Sequence, residues 1–360
     1  MKLFHFHFIA KRLYSGSGII KAQKYVLTKY FQGEPKKTDF QLVEEVLPDL
    51  RDGEILTEAE YISVDPFMRA YMIGYKLPVD MIGGQVAKIV ASRNEHYPIG
   101  KYVTGSFGWR THTICNPEKL KGNAGFAPFS LLPDISPYPV SLALGILGMP
   151  GRLGSNSSLR RKLMIRTTLL KRDCPPACFV PARDIAAYPL RVASPRCCRV
   201  VGFAGTDEKC YYLEKELGFD RAFNYKTVDI KAALKEGAPR KVDCYFDNVG
   251  GQISSNIINY MNKYGRVAVC GSISSYNESC SPKATILQPA IVLKELKIEG
   301  FLVDRWIDRW EEGINANLRW LVDGKLKYEE KVYHGFDNMV DAFVGMLRGE
   351  NTGKAVVKIK

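Results

Sequence analysis

The chain has no hydrophobic run long enough to cross a bilayer, which needs about 18 consecutive apolar residues. It also lacks the composition of a disordered protein, because 46% of its residues are hydrophobic and 25% are charged. A chain of 360 residues can form two domains of ordinary size. We therefore expect a globular protein with no membrane partner.

No cluster of metal ligands is visible in the sequence. The nine cysteines are scattered, and Cys174-x-x-x-Cys178 has no histidine near it, so the ligand spacing of a zinc site is missing. Cys244 lies in an apolar strand pattern, where a free cysteine acts as a small hydrophobic residue. These features fit a reducing compartment, and we expect a cytoplasmic location.

Acidic residues are absent from the first 33 residues, which carry six Lys or Arg. This composition is typical of a mitochondrial presequence. Tyr25-Val26-Leu27 already reads as the first strand, however, which leaves only a short piece before it. We treat residues 1–18 as an N-terminal extension and keep mitochondrial targeting as the alternative location.

Two residue patterns divide the rest of the chain. Residues 24–147 read as strands punctuated by glycine and proline. From residue 199 onward, strand patterns alternate with helical ones such as Gln252–Lys263, which places its isoleucines on one face. This alternation predicts an α/β fold with a doubly wound parallel sheet of the Rossmann type, whose ligands bind beyond the carboxyl ends of the strands.

The expected domains follow from these two residue patterns. A β-rich domain takes residues 19–145 together with 320–360, since the tail returns to a strand pattern in Ala355–Ile359. The doubly wound domain takes residues 146–319.

A glycine-rich phosphate-binding turn is missing where such a sheet needs one. The interval 152–197 contains Gly154 alone, five prolines, and ten Lys or Arg against two acids, a net of +8. Removing this +8 from the total of +13 leaves +5 for the remaining chain, so we expect no nucleic-acid partner. The sequence predicts that the first strand and the pyrophosphate cradle are lost in this interval.

Small and polar residues follow the strands of the second half. Lys209 comes after Gly205-Thr206, where an NAD enzyme usually carries an acid, so this cation favours the 2′-phosphate of NADPH. Its alternative role is a solvated lysine. Asn248 can donate and accept hydrogen bonds, with an ordinary Asx turn as the alternative. Tyr276 can supply a proton, with packing as the alternative.

Four segments together resemble the prostaglandin reductases, also called leukotriene 12-hydroxydehydrogenases or alkenal/one oxidoreductases, of the zinc-free medium-chain dehydrogenase/reductase family. They are Val64–Arg69, Leu142–Gly151, Phe246–Gly251 and Cys270–Tyr276. The resemblance extends over about residues 20–151 and 198–360. The interval between them departs from the family's turn. A reading-frame shift or exon error is the favoured explanation, because local chemistry there contradicts the fold at every level, and a divergent insert is the alternative.

This resemblance implies a twisted β catalytic domain, a Rossmann domain and a homodimer. It implies NADPH-dependent reduction of the carbon–carbon double bond of α,β-unsaturated ketones and aldehydes, including 15-oxo-prostaglandins. The substrate partner is then a small enone or enal. The alternative is a catalytically impaired homologue without the phosphate-binding turn.

The resemblance also assigns site residues. Tyr276 would be catalytic, and Phe67 and Arg69 would meet the substrate, with a surface ion pair as the alternative for Arg69. No metal is implied, since Gln85 lies where the zinc-dependent relatives have glutamate. The residues expected to bind NADPH are Lys209, Tyr225, Asn248, Cys270, Gly271, Ser272, Ile273, Ser274, Ser275, Tyr276, Phe301, Leu302, Val303 and Asn351.

Overall fold

The computed structural model of the chain describes residues 20–120, 128–151, 177–181, 199–278 and 285–360. Strands in these residues form three sheets, of three, six and seven strands. Their bounds are β1 Ile20–Leu27, β2 Phe40–Leu47, β3 Ile55–Ser63, β4 Val79–Asp80, β5 Gln85–Ser92, β6 Tyr102–Gly105, β7 His112–Cys115, β8 Ser130–Leu131, β9 Ala177–Pro181, β10 Arg199–Ala204, β11 Arg221–Asn224, β12 Val242–Asp247, β13 Met261–Val269, β14 Lys297–Gly300, β15 Glu330–His334 and β16 Lys354–Lys358.

Helices connect the strands, mainly in the second half. They are α1 Phe67–Tyr71, α2 Pro117–Leu120, α3 Asp207–Tyr211, α4 Ile230–Gly237, α5 Gly251–Asn259, α6 Gln288–Leu293, α7 Trp310–Val322 and α8 Met339–Arg348. The domain boundary expected between residues 319 and 320 falls inside α7. In the described part of the chain, no helix combines the length and the hydropathy that a membrane span requires.

The six-stranded sheet has the order β11-β10-β9-β12-β13-β14, and every neighbouring pair is parallel. The strand order therefore reverses direction between β9 and β12, as in a doubly wound sheet. Apolar side chains are buried on both faces, for example Phe203 and Tyr245 in one cluster and Phe246 in another. The expected α/β fold with a Rossmann-type sheet is confirmed.

Strand β9 corrects the expectation that the first strand is lost. Ala177–Pro181 pairs in parallel with β10 on one side and β12 on the other, at the centre of the sheet. These five residues are uncharged, and proline comes only at the end of the strand, where its missing N–H disturbs the ladder least. The expected loss of the glycine-rich turn, and the N-terminal extension, lie outside the described residues.

The seven-stranded sheet joins the two ends of the chain. β16 pairs antiparallel with β3, so that Val356 lies opposite Ser63, and β15 pairs in parallel with β16. A smaller sheet of β2, β1 and β4 packs nearby, and Trp109 and Phe343 are among the fully buried residues of the shared core. The corner that follows β3 is thereby held by C-terminal strands.

Candidate active site

The loops after the parallel strands meet along one edge of the six-stranded sheet. Because the strands are parallel, their carboxyl ends lie at the same edge, which is where open α/β sheets bind ligands. The segments at this edge are 205–209 after β10, 225–227 after β11, 248–251 after β12, 270–276 after β13 and 301–303 after β14. Most of the predicted cofactor-binding residues are therefore brought together.

Asp247, at the end of β12, organises the loop that contains Asn248. Its buried carboxylate accepts hydrogen bonds from the Tyr245 hydroxyl at 2.9 Å, from the Val249 and Gly250 amides at 3.1 and 2.9 Å, and from the Ser254 hydroxyl at 2.5 Å. Burial and the charge of Asp247 hold the pKa of Tyr245 well above its ordinary value. Asp247 was not predicted. The Asx turn proposed as the alternative for Asn248 is made by Asp247 instead.

The loop after β13 packs tightly on the loop after β12. The Ile273 amide donates to the Asn248 carbonyl at 3.2 Å, and the Ser274 hydroxyl donates to the Val249 carbonyl at 2.6 Å. Gly250 has φ +69°, and a Cβ there would lie 2.1 Å from the Ser272 hydroxyl oxygen. Only glycine suits this position, because both the backbone angle and the space exclude a side chain.

The Tyr276 phenol folds back over its own loop. Its oxygen accepts a hydrogen bond from the Ser272 amide at 3.3 Å and lies 3.0 Å from where a Cβ on Gly271 would be. A phenolic hydroxyl can both accept and donate a hydrogen bond. Tyr276 is thus positioned at the edge of the sheet with its hydroxyl over the backbone at 271–272.

Lys209 connects the edge of the six-stranded sheet to the end of α8. Its ammonium donates to the Gly349 carbonyl at 2.5 Å, and the Thr206 hydroxyl caps the first turn of α3 by accepting from the Lys209 amide at 3.3 Å. Asn351 lies in the same turn as Gly349, and its side chain donates to the Gly353 carbonyl at 2.6 Å. Lys209 therefore contacts the short segment, residues 349–353, that contains Asn351.

Tyr225 also belongs to this group. A Cβ on Gly205 would lie 3.1 Å from the Tyr225 hydroxyl, so the phenol covers the end of β10. Phe301, by contrast, turns into the core, where its ring lies 6.2 Å from that of Phe246. Leu302 is exposed and Val303 is partly buried.

Phe67 lines a cleft of about 400 Å³, a volume that includes space open to solvent. More of the surface of this cleft is apolar than polar. Its lining residues are Ser63, Asp65, Phe67, Gly84, Thr104, Pro128, Ala143, Leu144, Gly148, Met149 and Trp310. Such a mixture suits a mainly apolar ligand with one polar group.

Arg69 is not among the residues that line this cleft. The alternative expected for it, a surface ion pair, is wrong because the side chain is buried, whereas its contact with the substrate stays a prediction. The side chain is buried, and both Nε and Nη2 donate to the Gly33 carbonyl, at 3.3 and 2.9 Å. Its guanidinium lies 5.0 Å above the Phe31 ring, and burial lowers its pKa. A Cβ on Gly33 would lie 3.8 Å from the Asn277 carbonyl oxygen, so Arg69 holds a turn next to the Tyr276 loop.

Gln85, at the position where zinc-dependent relatives are expected to carry glutamate, makes structural hydrogen bonds. Its amide donates to the Gly108 and Arg110 carbonyls at 2.6 and 2.9 Å and is buried. Within the described ranges, no group of three or more His, Cys, Asp or Glu could hold a metal ion.

Sequence comparison places both halves of the chain among dehydrogenases. Residues 23–122 match the family described as the N-terminal domain of oxidoreductase, and residues 190–318 match the family described as zinc-binding dehydrogenase. Prostaglandin reductase 1 of Bos taurus is 42% identical over 346 residues, which cover 94% of this chain and 100% of that protein. The putative NADP-dependent oxidoreductase YfmJ of Bacillus subtilis is 36% identical and covers 94% and 97%.

Solved structures agree with this placement. CurA from Vibrio vulnificus in complex with NADPH superposes with a TM-score of 0.82 at 29% identity, covering 94% of this chain and 99% of that one. Escherichia coli quinone oxidoreductase complexed with NADPH, at 15% identity and a TM-score of 0.70, shares the fold and covers 93% and 99%. The chain belongs to the prostaglandin reductase branch of the medium-chain dehydrogenase/reductase family, as its motifs indicated.

Proposed function

We propose that this protein reduces the carbon–carbon double bond of α,β-unsaturated ketones and aldehydes, including 15-oxo-prostaglandins, with NADPH. The observation that carries the proposal is the convergence of the strand-end loops with the cation of Lys209. A largely apolar cleft lined by Phe67 is available for the substrate. The names of the prostaglandin reductase 1 relatives and the NADPH complex of CurA support it.

The residues at the sheet edge fit NADPH. The positive backbone angle of Gly250 and its close approach to Ser272 let the backbone come near a flat ligand. Lys209 would meet the 2′-phosphate, exchanging the Gly349 carbonyl for a stronger anionic acceptor. Tyr225, Asn248, the segments Cys270–Tyr276 and Phe301–Val303, and Asn351 would complete the site.

NADPH supplies the hydride when it is bound. Tyr276 would donate a hydrogen bond to the substrate oxygen as negative charge develops there, a kind of contact that typically contributes about 3–4 kcal/mol. Phe67, Met149 and Trp310 would exclude water from the apolar end of the substrate. We propose no metal in the reaction.

The test is NADPH oxidation in the presence of a simple enone, read by the loss of cofactor absorbance. Turnover that requires the enone and prefers NADPH over NADH supports the proposal. The second candidate is a catalytically impaired homologue, which the absence of a glycine-rich turn from the sequence of 152–197 favours. Negligible NADPH binding in a fluorescence titration would support that candidate instead.

We also propose a homodimer that forms through the edge of the six-stranded sheet. Among the described strands β14 is terminal in the sheet order, so one of its edges is unpaired. Val292 and Leu293 of the adjoining α6 are 72% and 77% exposed, and Leu302 is 59% exposed. Sedimentation of the wild type and of Leu293→Glu tests this, since the substitution should yield monomers.

Two further expectations stay proposals. We propose that the cofactor half of the chain begins near residue 146, and that the chain returns to the β-rich half close to α7. We also propose a cytoplasmic location, with mitochondria as the alternative. Imaging the full chain beside a variant without residues 1–18 distinguishes the two locations.

A further inference from the structure

A series of buried polar side chains leads from the cleft into the seven-stranded sheet. The Ser63 hydroxyl donates to one carboxylate oxygen of Asp65. The Lys354 ammonium donates to the other carboxylate oxygen and also to the Val64 carbonyl at 3.1 Å. Ser63, Asp65 and Lys354 are all buried, and Ser63 and Asp65 line the cleft.

Glu330 extends this series away from the cleft. It lies directly opposite Lys354 in the pairing of β15 with β16. A Cβ on Gly145 would meet the Glu330 Oε1 at 3.4 Å and the Lys354 Cγ at 3.3 Å, so both side chains border the same small space. The Ser141 hydroxyl donates to Oε2 at 2.6 Å.

The other carboxylate oxygen of Glu330 accepts no hydrogen bond from the described residues. This oxygen, Oε1, is buried. An ammonium has three N–H donors, and Lys354 uses two of them on Asp65 and Val64. A leftover acceptor on one side and a remaining donor on the other can be joined by a small movement or a bridging water.

The surroundings of Glu330 favour uptake of a proton. Burial raises its pKa, against the hydrogen bond from Ser141 and the charge of Lys354, while the charge of Glu329 adds to the increase. Burial raises the pKa of the Tyr61 and Tyr328 phenols, and the charge of Glu330 adds to both increases. Glu330 is only partly buried, so solvent reaches it more easily than it reaches Asp65.

We propose that Glu330, Lys354, Asp65 and Ser63 form a path that carries the proton consumed by the reduction from solvent to the substrate cleft. This inference rests on the proposed enone reduction, which takes up one proton for each hydride. Ser63 is the catalytic residue that donates the proton to the substrate, and Glu330 and Lys354 pass protons to it through Asp65.

The transfer balances in protons and electrons. The Ser63 O–H bond breaks as a C–H bond forms at the substrate α-carbon, whose electron pair comes from the enolate. Asp65 passes to Ser63 the proton that it receives from the Lys354 ammonium, and neutral Lys354 takes a proton from Glu330. Glu330 gives this proton from its neutral acid form and takes up another from solvent, so every side chain returns to its starting state.

A purely structural role for the ion pair makes a different prediction. A buried pair can serve only to join β3 to β16, and removing one partner then destabilises the fold. Lys354→Arg separates the two roles, because arginine keeps the positive charge but does not give up its proton in proteins. Glu330→Gln does the same at the other end, since glutamine still accepts from Ser141 but carries no exchangeable acid proton.

The experiment measures steady-state NADPH oxidation with an enone, in light and in heavy water. We expect kcat to fall by about tenfold to a hundredfold in Lys354→Arg, Glu330→Gln and Ser63→Ala, with the KM for the enone nearly unchanged and a larger solvent isotope effect. A small weak acid such as imidazole should restore part of the Glu330→Gln rate. Lys358→Met on the same strand is the control and should behave as the wild type.

An infrared titration of carboxyl groups in the cofactor-free protein gives a reading that is independent of turnover. The Glu330 band should titrate above the ordinary glutamate value and should move still higher in Lys354→Met. An active wild type with unchanged kcat and isotope effect in Glu330→Gln and Lys354→Arg would overturn the path but leave the proposed reduction intact. A wild type that does not oxidise NADPH with any enone would overturn the proposed reduction itself, and the path with it.

Discussion

Replacing Gly250 by alanine should damage the cofactor site more than a comparable substitution elsewhere. Its backbone angles, φ +69° and ψ −157°, belong to a region that is essentially restricted to glycine, which costs another residue about 1–3 kcal/mol. The new Cβ would also lie 2.1 Å from the Ser272 hydroxyl oxygen and 3.3 Å from its Cα. Forcing that contact costs about 1–3 kcal/mol more.

Two other glycines separate these contributions. Gly324 has φ +65° and open space around its Cβ position, so Gly324→Ala should lose only about 1–2 kcal/mol from the backbone. Gly300 has neither a positive φ nor a neighbour within 4 Å, so Gly300→Ala should be close to neutral. Urea unfolding of the three variants gives the free energies, and fluorescence titration gives NADPH affinity.

The expected order of destabilisation is Gly250→Ala, then Gly324→Ala, then Gly300→Ala, with weaker NADPH binding in the first variant alone. Removing the Ser272 side chain in the Gly250→Ala background should recover the part of the lost unfolding free energy that comes from the contact. If Gly250→Ala is no less stable than Gly324→Ala and binds NADPH normally, then the loops after β12 and β13 do not pack as described.

Lys209→Glu should narrow the preference for NADPH over NADH, and unchanged relative affinities would rule out its contact with the 2′-phosphate. Asp247→Asn should lower the free energy of unfolding by about 1–3 kcal/mol, because an amide cannot accept from every donor around it. A strong chelator should leave enone reduction intact. Loss of the activity in the chelator and its recovery when zinc is added would contradict this prediction. The pKa of Glu330 in the folded chain is raised above its ordinary value of 4.5, so the folded chain keeps this proton to higher pH than the unfolded chain does. The contribution of this proton to the free energy of unfolding is therefore full below pH 4.5 and is lost as the pH rises through the folded-state pKa. Glu330→Gln should remove that part of the slope in urea unfolding measured at several pH values.

The sheet edge could be predicted because each strand of the second half is a short apolar run that ends in small or polar residues. Gly205, Asn248 and Gly271 all follow such runs, and the rule for parallel sheets places them at one edge. These are local signals, which a single sequence carries.

Strand β9 could not be predicted because the interval around it is rich in basic residues and proline. Ala177–Pro181 is too short to alter that composition, yet five uncharged residues suffice for a central strand. Its neighbours supply the ladder, so its position depends on tertiary pairing rather than on local pattern.

Long-range polar partners were also beyond the sequence. Arg69 and Gly33 are 36 positions apart, and Lys354 and Asp65 are 289 positions apart. No spacing rule predicts such pairs, since they exist only once β16 lies beside β3 and the Gly33 turn lies beside α1. Asp247 could not be predicted for another reason, because its donors become its neighbours only when the chain turns after β12.

Isotope transfer tests the central claim most directly. The protein is incubated with a 15-oxo-prostaglandin or a simple enone and with NADPH that carries deuterium at the transferable position of nicotinamide C4, and the product is analysed by mass spectrometry. We expect a saturated ketone with one deuterium at the β-carbon, formed by the wild type and strongly reduced in Gly250→Ala. A product without deuterium at that carbon, or no product with either substrate, would contradict an NADPH-dependent enone reductase.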